Sequence, residues 1–72
     1  MADIRFVSED KIIIGKADEE LYFKVKENYK NEKTEIFFYK DKKEIRIFIK
    51  GESGMEKSVF SQNLADQILQ MI

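Results

Sequence analysis

Two alternating runs of apolar residues around a charged turn limit how this chain can fold more than any other feature does. They lie in the stretch EIFFYKDKKEIRIFIKG, residues 35–51. Because successive side chains of a strand point to opposite faces, the stretch predicts a β-hairpin with strands at about 34–40 and 44–50. One face of this hairpin is apolar and carries Ile36, Phe38, Ile45, Ile47 and Ile49.

The opposite face of the predicted hairpin should meet water, yet it is rich in aromatic side chains. It carries Phe37, Tyr39 and Phe48 beside Arg46 and Lys50. Two registers keep the apolar face whole: one pairs Ile36 with Ile47, and the other is shifted by two residues. The aromatic side chains stay on the far side in both registers, so the sequence predicts an aromatic and basic outer face.

Three further strands are predicted before this hairpin. Residues 3–7 and 11–15 flank the turn signal SED and predict a first hairpin. The run LYFKVKE alternates as well, and it predicts a strand at about 20–27. Its inward residues are Leu21, Phe23 and Val25, and its outward residues are Tyr22, Lys24 and Lys26. If this strand lies next to the second hairpin, its outward residues extend the aromatic and basic face.

The period of the apolar pattern changes near the C-terminus. In SQNLADQILQMI, residues 61–72, the apolar residues recur at helical spacing. The sequence predicts a helix at about 56–71, with residues 55–60 open to either a strand or a helix. The predicted fold class is α+β: a single domain, residues 1–72, with a meander of about five antiparallel strands and one C-terminal helix packed on the isoleucine face.

The residue types argue against an enzyme. The 72 residues contain no cysteine and no histidine, which excludes disulfides and thiolate metal sites and removes the side chain best suited to proton transfer near neutral pH. The three glycines form no phosphate-binding loop, and the acidic runs at 9–10 and 18–20 lack the spacing of a calcium loop. We therefore predict no catalytic residue, no metal ligand, no cofactor and no small-molecule substrate.

Membrane insertion and export are not expected either. No apolar run approaches the ~20 residues that span a bilayer. The segment MADIRFVSED has no basic start followed by an apolar block, so it does not resemble a signal peptide. The expected location is the cytoplasm.

The charge is unevenly distributed along the chain. The net charge is −1, but residues 21–50 contain nine Lys or Arg against five Asp or Glu. A basic middle between acidic ends suits an acidic partner, and it is equally compatible with ends that fold back and neutralise the middle.

These observations predict a binding protein whose contact surface is the outer sheet face. The predicted contact residues are Tyr22, Lys24, Lys26, Phe37, Tyr39, Arg46, Phe48 and Lys50. A protein interface is favoured, either in a homodimer or in an accessory or inhibitor protein, because aromatic residues and Arg are enriched at such interfaces. The alternative is a single-stranded nucleic-acid platform, in which bases stack on the rings and cations follow the phosphates. A third possibility is that the N-terminal hairpin covers this face.

Overall fold

The computed structural model describes residues 1–72, which form one antiparallel sheet covered by two helices. The elements in chain order are β1 Asp3–Val7, β2 Lys11–Gly15, α1 Glu19–Tyr29, β3 Thr34–Tyr39, β4 Glu44–Ile49 and α2 Met55–Met71. The strand order in the sheet is β1-β2-β4-β3. The predicted α+β class is confirmed, but the sheet has four strands where about five were expected, and there are two helices where one was expected.

The strand predicted at about 20–27 is wrong, because this segment is helix α1. Asp18 caps the helix, and its side chain accepts a hydrogen bond from the backbone N–H of Leu21 at 2.8 Å. Glu19 and Glu20 follow in the first turn, where negative charge stabilises a helix. The residues that α1 turns toward the core lie at helical spacing and are Leu21, Tyr22, Val25 and Tyr29.

The two predicted hairpins are confirmed, and the structure selects one register for the second. Ile36 lies opposite Ile47 in the pairing of β3 with β4. The simple meander is replaced by a pairing of β2 with β4, which places Ile12 opposite Ile47. The two hairpins therefore join side by side, and each hairpin is followed in the chain by a helix.

One face of this sheet forms the core together with both helices. The fully or nearly fully buried residues of the strands are Ile12, Ile14, Ile45, Ile47 and Ile49. The residues that the helices bury against them are Val25 from α1 and Leu64, Ala65 and Ile68 from α2. Because α1 and α2 cover the same face, the opposite face of the sheet has no layer over it.

Residues 55–60, which the sequence left between strand and helix, form the first turns of α2. The middle of this helix is tied to the first hairpin by a buried side chain. Ser61 is 1% exposed, and its hydroxyl donates a hydrogen bond to the backbone oxygen of Ser8. Lys57 adds an ion pair to Asp10 in the same turn. These contacts fix α2 against β1 and β2.

Neither helix combines the length and the apolar character that crossing a membrane requires.

The helical state of residues 19–29 is open to a direct test at its cap. We expect Asp18→Ala to lower the free energy of unfolding by about 1 kcal/mol, because the N–H of Leu21 loses its acceptor. Asp18→Ser should restore most of this loss, since serine is also a good N-cap. Urea unfolding followed by circular dichroism measures both. Glu27→Ala, at an exposed site within the same helix, is the control, and an equal effect of the two alanine variants would contradict the capping role.

Candidate binding face

The face of the sheet that points away from both helices has no covering layer. We call it the outer face. Its members follow from the strand registers and are Asp3, Arg5, Phe6, Lys11, Ile13, Glu35, Phe37, Tyr39, Glu44, Arg46, Phe48 and Lys50. The first hairpin extends the sheet sideways, so the possibility that it covers this face is wrong.

Five of the eight predicted contact residues lie on the outer face: Phe37, Tyr39, Arg46, Phe48 and Lys50. They come from the one hairpin whose alternation the sequence showed clearly. Phe37 is 43% exposed, and its ring lies against that of Phe48 with centroids 5.7 Å apart at an interplanar angle of 67°. This edge-to-face geometry is favourable for aromatic pairs.

The other three predicted contact residues, Tyr22, Lys24 and Lys26, do not lie on the outer face, because they belong to α1. The ring of Tyr22 stacks on Phe38 with centroids 5.4 Å apart, on the side of the sheet that the helices cover. Lys24 pairs with Glu20 along the helix at 3.8 Å, and the ammonium group of Lys26 lies over the Tyr22 ring. The outer face is therefore less basic than the sequence predicted.

The first hairpin contributes residues that sequence reasoning missed. Phe6, Ile13, Arg46 and Phe37 form a continuous row across the four strands. Phe6 reaches this face because the register shifts between Ile4 and Phe6, where an extra residue forms a β-bulge. Simple alternation places Phe6 on the same side as Ile4, so nothing in the sequence indicated its position. Ile13 lies outward because Ile12 and Ile14 on either side of it are buried, and a run of three isoleucines gives no sequence signal for which of them faces water.

The charged groups of the outer face are largely paired with one another. The guanidinium of Arg46 donates to Glu44 Oε1 from Nη2 at 2.9 Å and from Nε at 3.1 Å. The same group lies 4.6 Å from the ring centroid of Tyr39. Lys50 pairs with Glu35 at 3.1 Å.

The β1 side of the face follows the same pattern. Arg5 pairs with Asp3 at 3.3 Å, and its side chain lies over Gly15, where a Cβ atom would overlap it. Lys11 has no carboxylate partner and lies 5.5 Å from the ring centroid of Phe6. Four cations and three carboxylates thus share the face, which leaves it close to neutral and lined with aromatic rings.

No three acidic side chains converge in a group that could hold a metal ion. In the comparisons with known proteins, no family model matches the sequence, and no curated protein or solved structure matches it either. The residues and their geometry are therefore the basis on which function is inferred.

The contacts of Arg46 predict that lysine cannot replace it. Lysine cannot bond Glu44 through two nitrogens and lie flat on Tyr39 at once. We expect Arg46→Lys to lower the free energy of unfolding by about 1 kcal/mol in urea titrations, since the pair is only 26% and 18% exposed. The control is Lys50→Gln, which breaks a more exposed pair and should cost less than about 0.5 kcal/mol. Equal losses in the two variants would contradict the special role of Arg46.

Proposed function

We propose that this chain is a non-enzymatic protein-binding module and that the outer face is its contact surface. The observation that carries the proposal is the combination of an uncovered sheet face, exposed aromatic rings, and cations that already have carboxylate or aromatic partners. Phe6 and Phe37 are 47% and 43% exposed, so their rings offer apolar area at the surface. Aromatic residues and Arg are the residue types enriched where protein interfaces bind most strongly.

The charge pairing favours a protein over a nucleic acid as the partner. A nucleic-acid platform gains much of its affinity from cations that neutralise phosphates. Here Arg5, Arg46 and Lys50 are each held by a carboxylate. Those carboxylates would also repel a phosphate backbone. A protein surface with charges of both signs can satisfy the same groups without breaking their pairs.

The size of the face constrains the strength of binding. Four strands at ~4.8 Å spacing and five residues at ~3.4 Å make a face of roughly 19 by 17 Å. This is roughly 300 Å² in plan, below the ~800 Å² that each partner buries in an interface of standard size. The partner we propose is a protein with a flat apolar patch framed by charges of both signs, bound reversibly, as suits an accessory or inhibitor protein.

Crosslinking followed by affinity measurement tests the proposal. A photo-crosslinking residue at position 6, on the outer face, should capture the partner, whereas one at position 59, on the exposed side of α2, should not. With the purified partner, we expect Phe6→Ser to raise the dissociation constant about tenfold or more, because one of the two exposed aromatic rings of the contact surface is lost. The matched control is Val59→Ser, which removes a side chain of similar exposure, 52%, and should change it less than about twofold.

A second measurement decides between protein and nucleic acid. We expect no salt-dependent binding of a mixed-sequence single-stranded oligonucleotide in fluorescence anisotropy at low or physiological salt. Binding that falls steeply with salt and is lost in both Phe48→Ala and Arg46→Ala would contradict the proposal and establish the nucleic-acid alternative.

A further inference from the structure

The two edges of the sheet differ in how they are protected. Open edge strands usually carry bulges, charges or proline, which keep them from pairing with another chain. β1 has a bulge at Arg5 and carries Asp3 beside it. β3 pairs with β4 in an unbroken register over its six residues, and Glu35 is its one charged residue. The β3 edge is therefore open to strand pairing, and the β1 edge is not.

The backbone groups at the β3 edge can be identified from one hydrogen bond. The N–H of Lys50 donates to the backbone oxygen of Lys33 at 2.8 Å, which makes these two residues a hydrogen-bonded pair of the antiparallel ladder. Because such pairs alternate with non-bonded ones, the odd-numbered residues of β3 direct their N–H and C=O groups toward β4. The N–H and C=O groups of Ile36 and Phe38 then point away from the sheet.

We infer that the β3 edge pairs with β3 of a second copy of this chain, antiparallel about a two-fold axis at Phe37. This register places Ile36 opposite Phe38 of the second copy, and Phe38 opposite its Ile36. Each of these two pairs exchanges two hydrogen bonds, so the four edge groups of each copy all gain partners. The result is a continuous eight-stranded sheet with an isologous interface.

The helix layer fits this arrangement. Helices pack ~10 Å apart and strands lie ~4.8 Å apart, so one helix covers about two strands, and the two helices cover the four-stranded sheet. In the eight-stranded sheet, α1 of one copy therefore lies next to α1 of the other. On α1, Phe23 is 54% exposed and lines a groove of about 390 Å³ at the β3 edge with Tyr22, Phe37, Phe38 and Tyr39. The second copy's α1 and β3 fill this groove, which accounts for an aromatic ring left at the surface.

The charges at this edge are complementary to themselves under a two-fold rotation. The first turn of α1 is acidic, with Glu19 and Glu20, and its other end has a net charge of +1, from Lys26 and Lys30 with Glu27 between them. An antiparallel arrangement sets the acidic end of one α1 beside the basic end of the other. The basic end lies at the start of β3 and the acidic end at its finish, since Lys26 and Lys30 line a groove with Thr34 whereas Glu19 lines one with Tyr39.

The strand flanks select the register. With the axis at Phe37, the paired residues 35–39 all lie within β3. Moving the axis to Phe38 sets Ile36 opposite Lys40, whose backbone oxygen already accepts a hydrogen bond from the N–H of Lys43 at 3.3 Å. With the axis at Ile36, Thr34 would have to exchange hydrogen bonds with Phe38 of the second copy, but its N–H already donates to the backbone oxygen of Asn31 at 3.2 Å.

This inference concerns the edge of the sheet and stands apart from the function proposed for the outer face. Pairing through β3 leaves Phe6, Ile13 and Phe48 uncovered in both copies. It also sets the two outer faces side by side on the same side of the enlarged sheet, because the two-fold axis is perpendicular to it.

Light scattering on the purified chain tests the inference first. We expect a mass that rises with concentration to twice the 8.6 kDa of one chain. Amide hydrogen exchange at low and high concentration then locates the contact. The N–H groups of Ile36 and Phe38 should become protected only as the dimer forms, because they gain acceptors there. The N–H group of Arg5, in the bulge of the opposite edge, is the control and should exchange at the same rate at both concentrations.

A substitution on α1 tests the contact without touching the core. We expect Phe23→Glu to raise the dimer dissociation constant about fivefold or more, because an exposed ring is lost from the groove at the β3 edge and a charge takes its place. The control is Lys11→Glu, on the outer face near β1, which should leave the dimer unchanged.

Two results would overturn the inference. One is a chain that stays a monomer of 8.6 kDa up to millimolar concentration. The other is a dimer that leaves the N–H groups of Ile36 and Phe38 unprotected and is weakened by Lys11→Glu. That dimer would be formed through the outer faces, and it would leave the proposed binding role of the outer face intact, with a second copy as the partner.

Discussion

The pairing of β2 with β4 is the constraint on which the rest of the structure depends. It sets Ile12 beside Ile47 and Ile14 beside Ile45, and all four side chains are completely buried. Burying one isoleucine side chain stabilises the folded state by roughly 1.5–3 kcal/mol. The four isoleucines therefore supply a large share of the stabilisation available to 72 residues without disulfides. The apolar face that these isoleucines form extends across the four-stranded sheet, and both helices pack against that face.

The open outer face is a consequence of the same constraint. Residues 1–72 place both helices on one side of the sheet, so the residues between the buried isoleucines must tolerate water on the other. Arg46 and Phe48 do so by contact with their neighbours: Arg46 bonds Glu44 and lies on Tyr39, and Phe48 meets Phe37. Such local pairing keeps the face ordered and close to neutral while its rings stay partly exposed, which is the condition a preformed protein-binding surface requires.

Four strands and the C-terminal helix could be predicted from the sequence because their apolar patterns have a clear period, whereas alternation left two registers of the second hairpin open and only the structure selects between them. The prediction for the segment LYFKVKE was wrong because seven residues cannot separate a period of 2 from one of 3.6. Leu21 and Val25 are apolar in both patterns. The features that decide for a helix are the Asp18 cap and the need for a second cover over the sheet, and the second of these is a tertiary effect. The bulge at Arg5, which brings Phe6 into the outer face, likewise depends on pairing with β2 and leaves no pattern in the residues.

The outer face and the β3 edge meet at Phe37, and this position relates the two proposals physically. One outer face is roughly 300 Å² in plan, which is small for a stable contact. Pairing through β3 leaves each face uncovered and joins the two into one surface of roughly 600 Å², with Phe37 of both copies at its centre. Such a surface has two-fold symmetry, so a symmetric partner could engage both halves at once, and the second contact would form at high effective concentration. If both proposals hold, a face that binds weakly in one copy would gain avidity in two, and pairing would be the reason why the β3 edge carries neither a bulge nor a central charge.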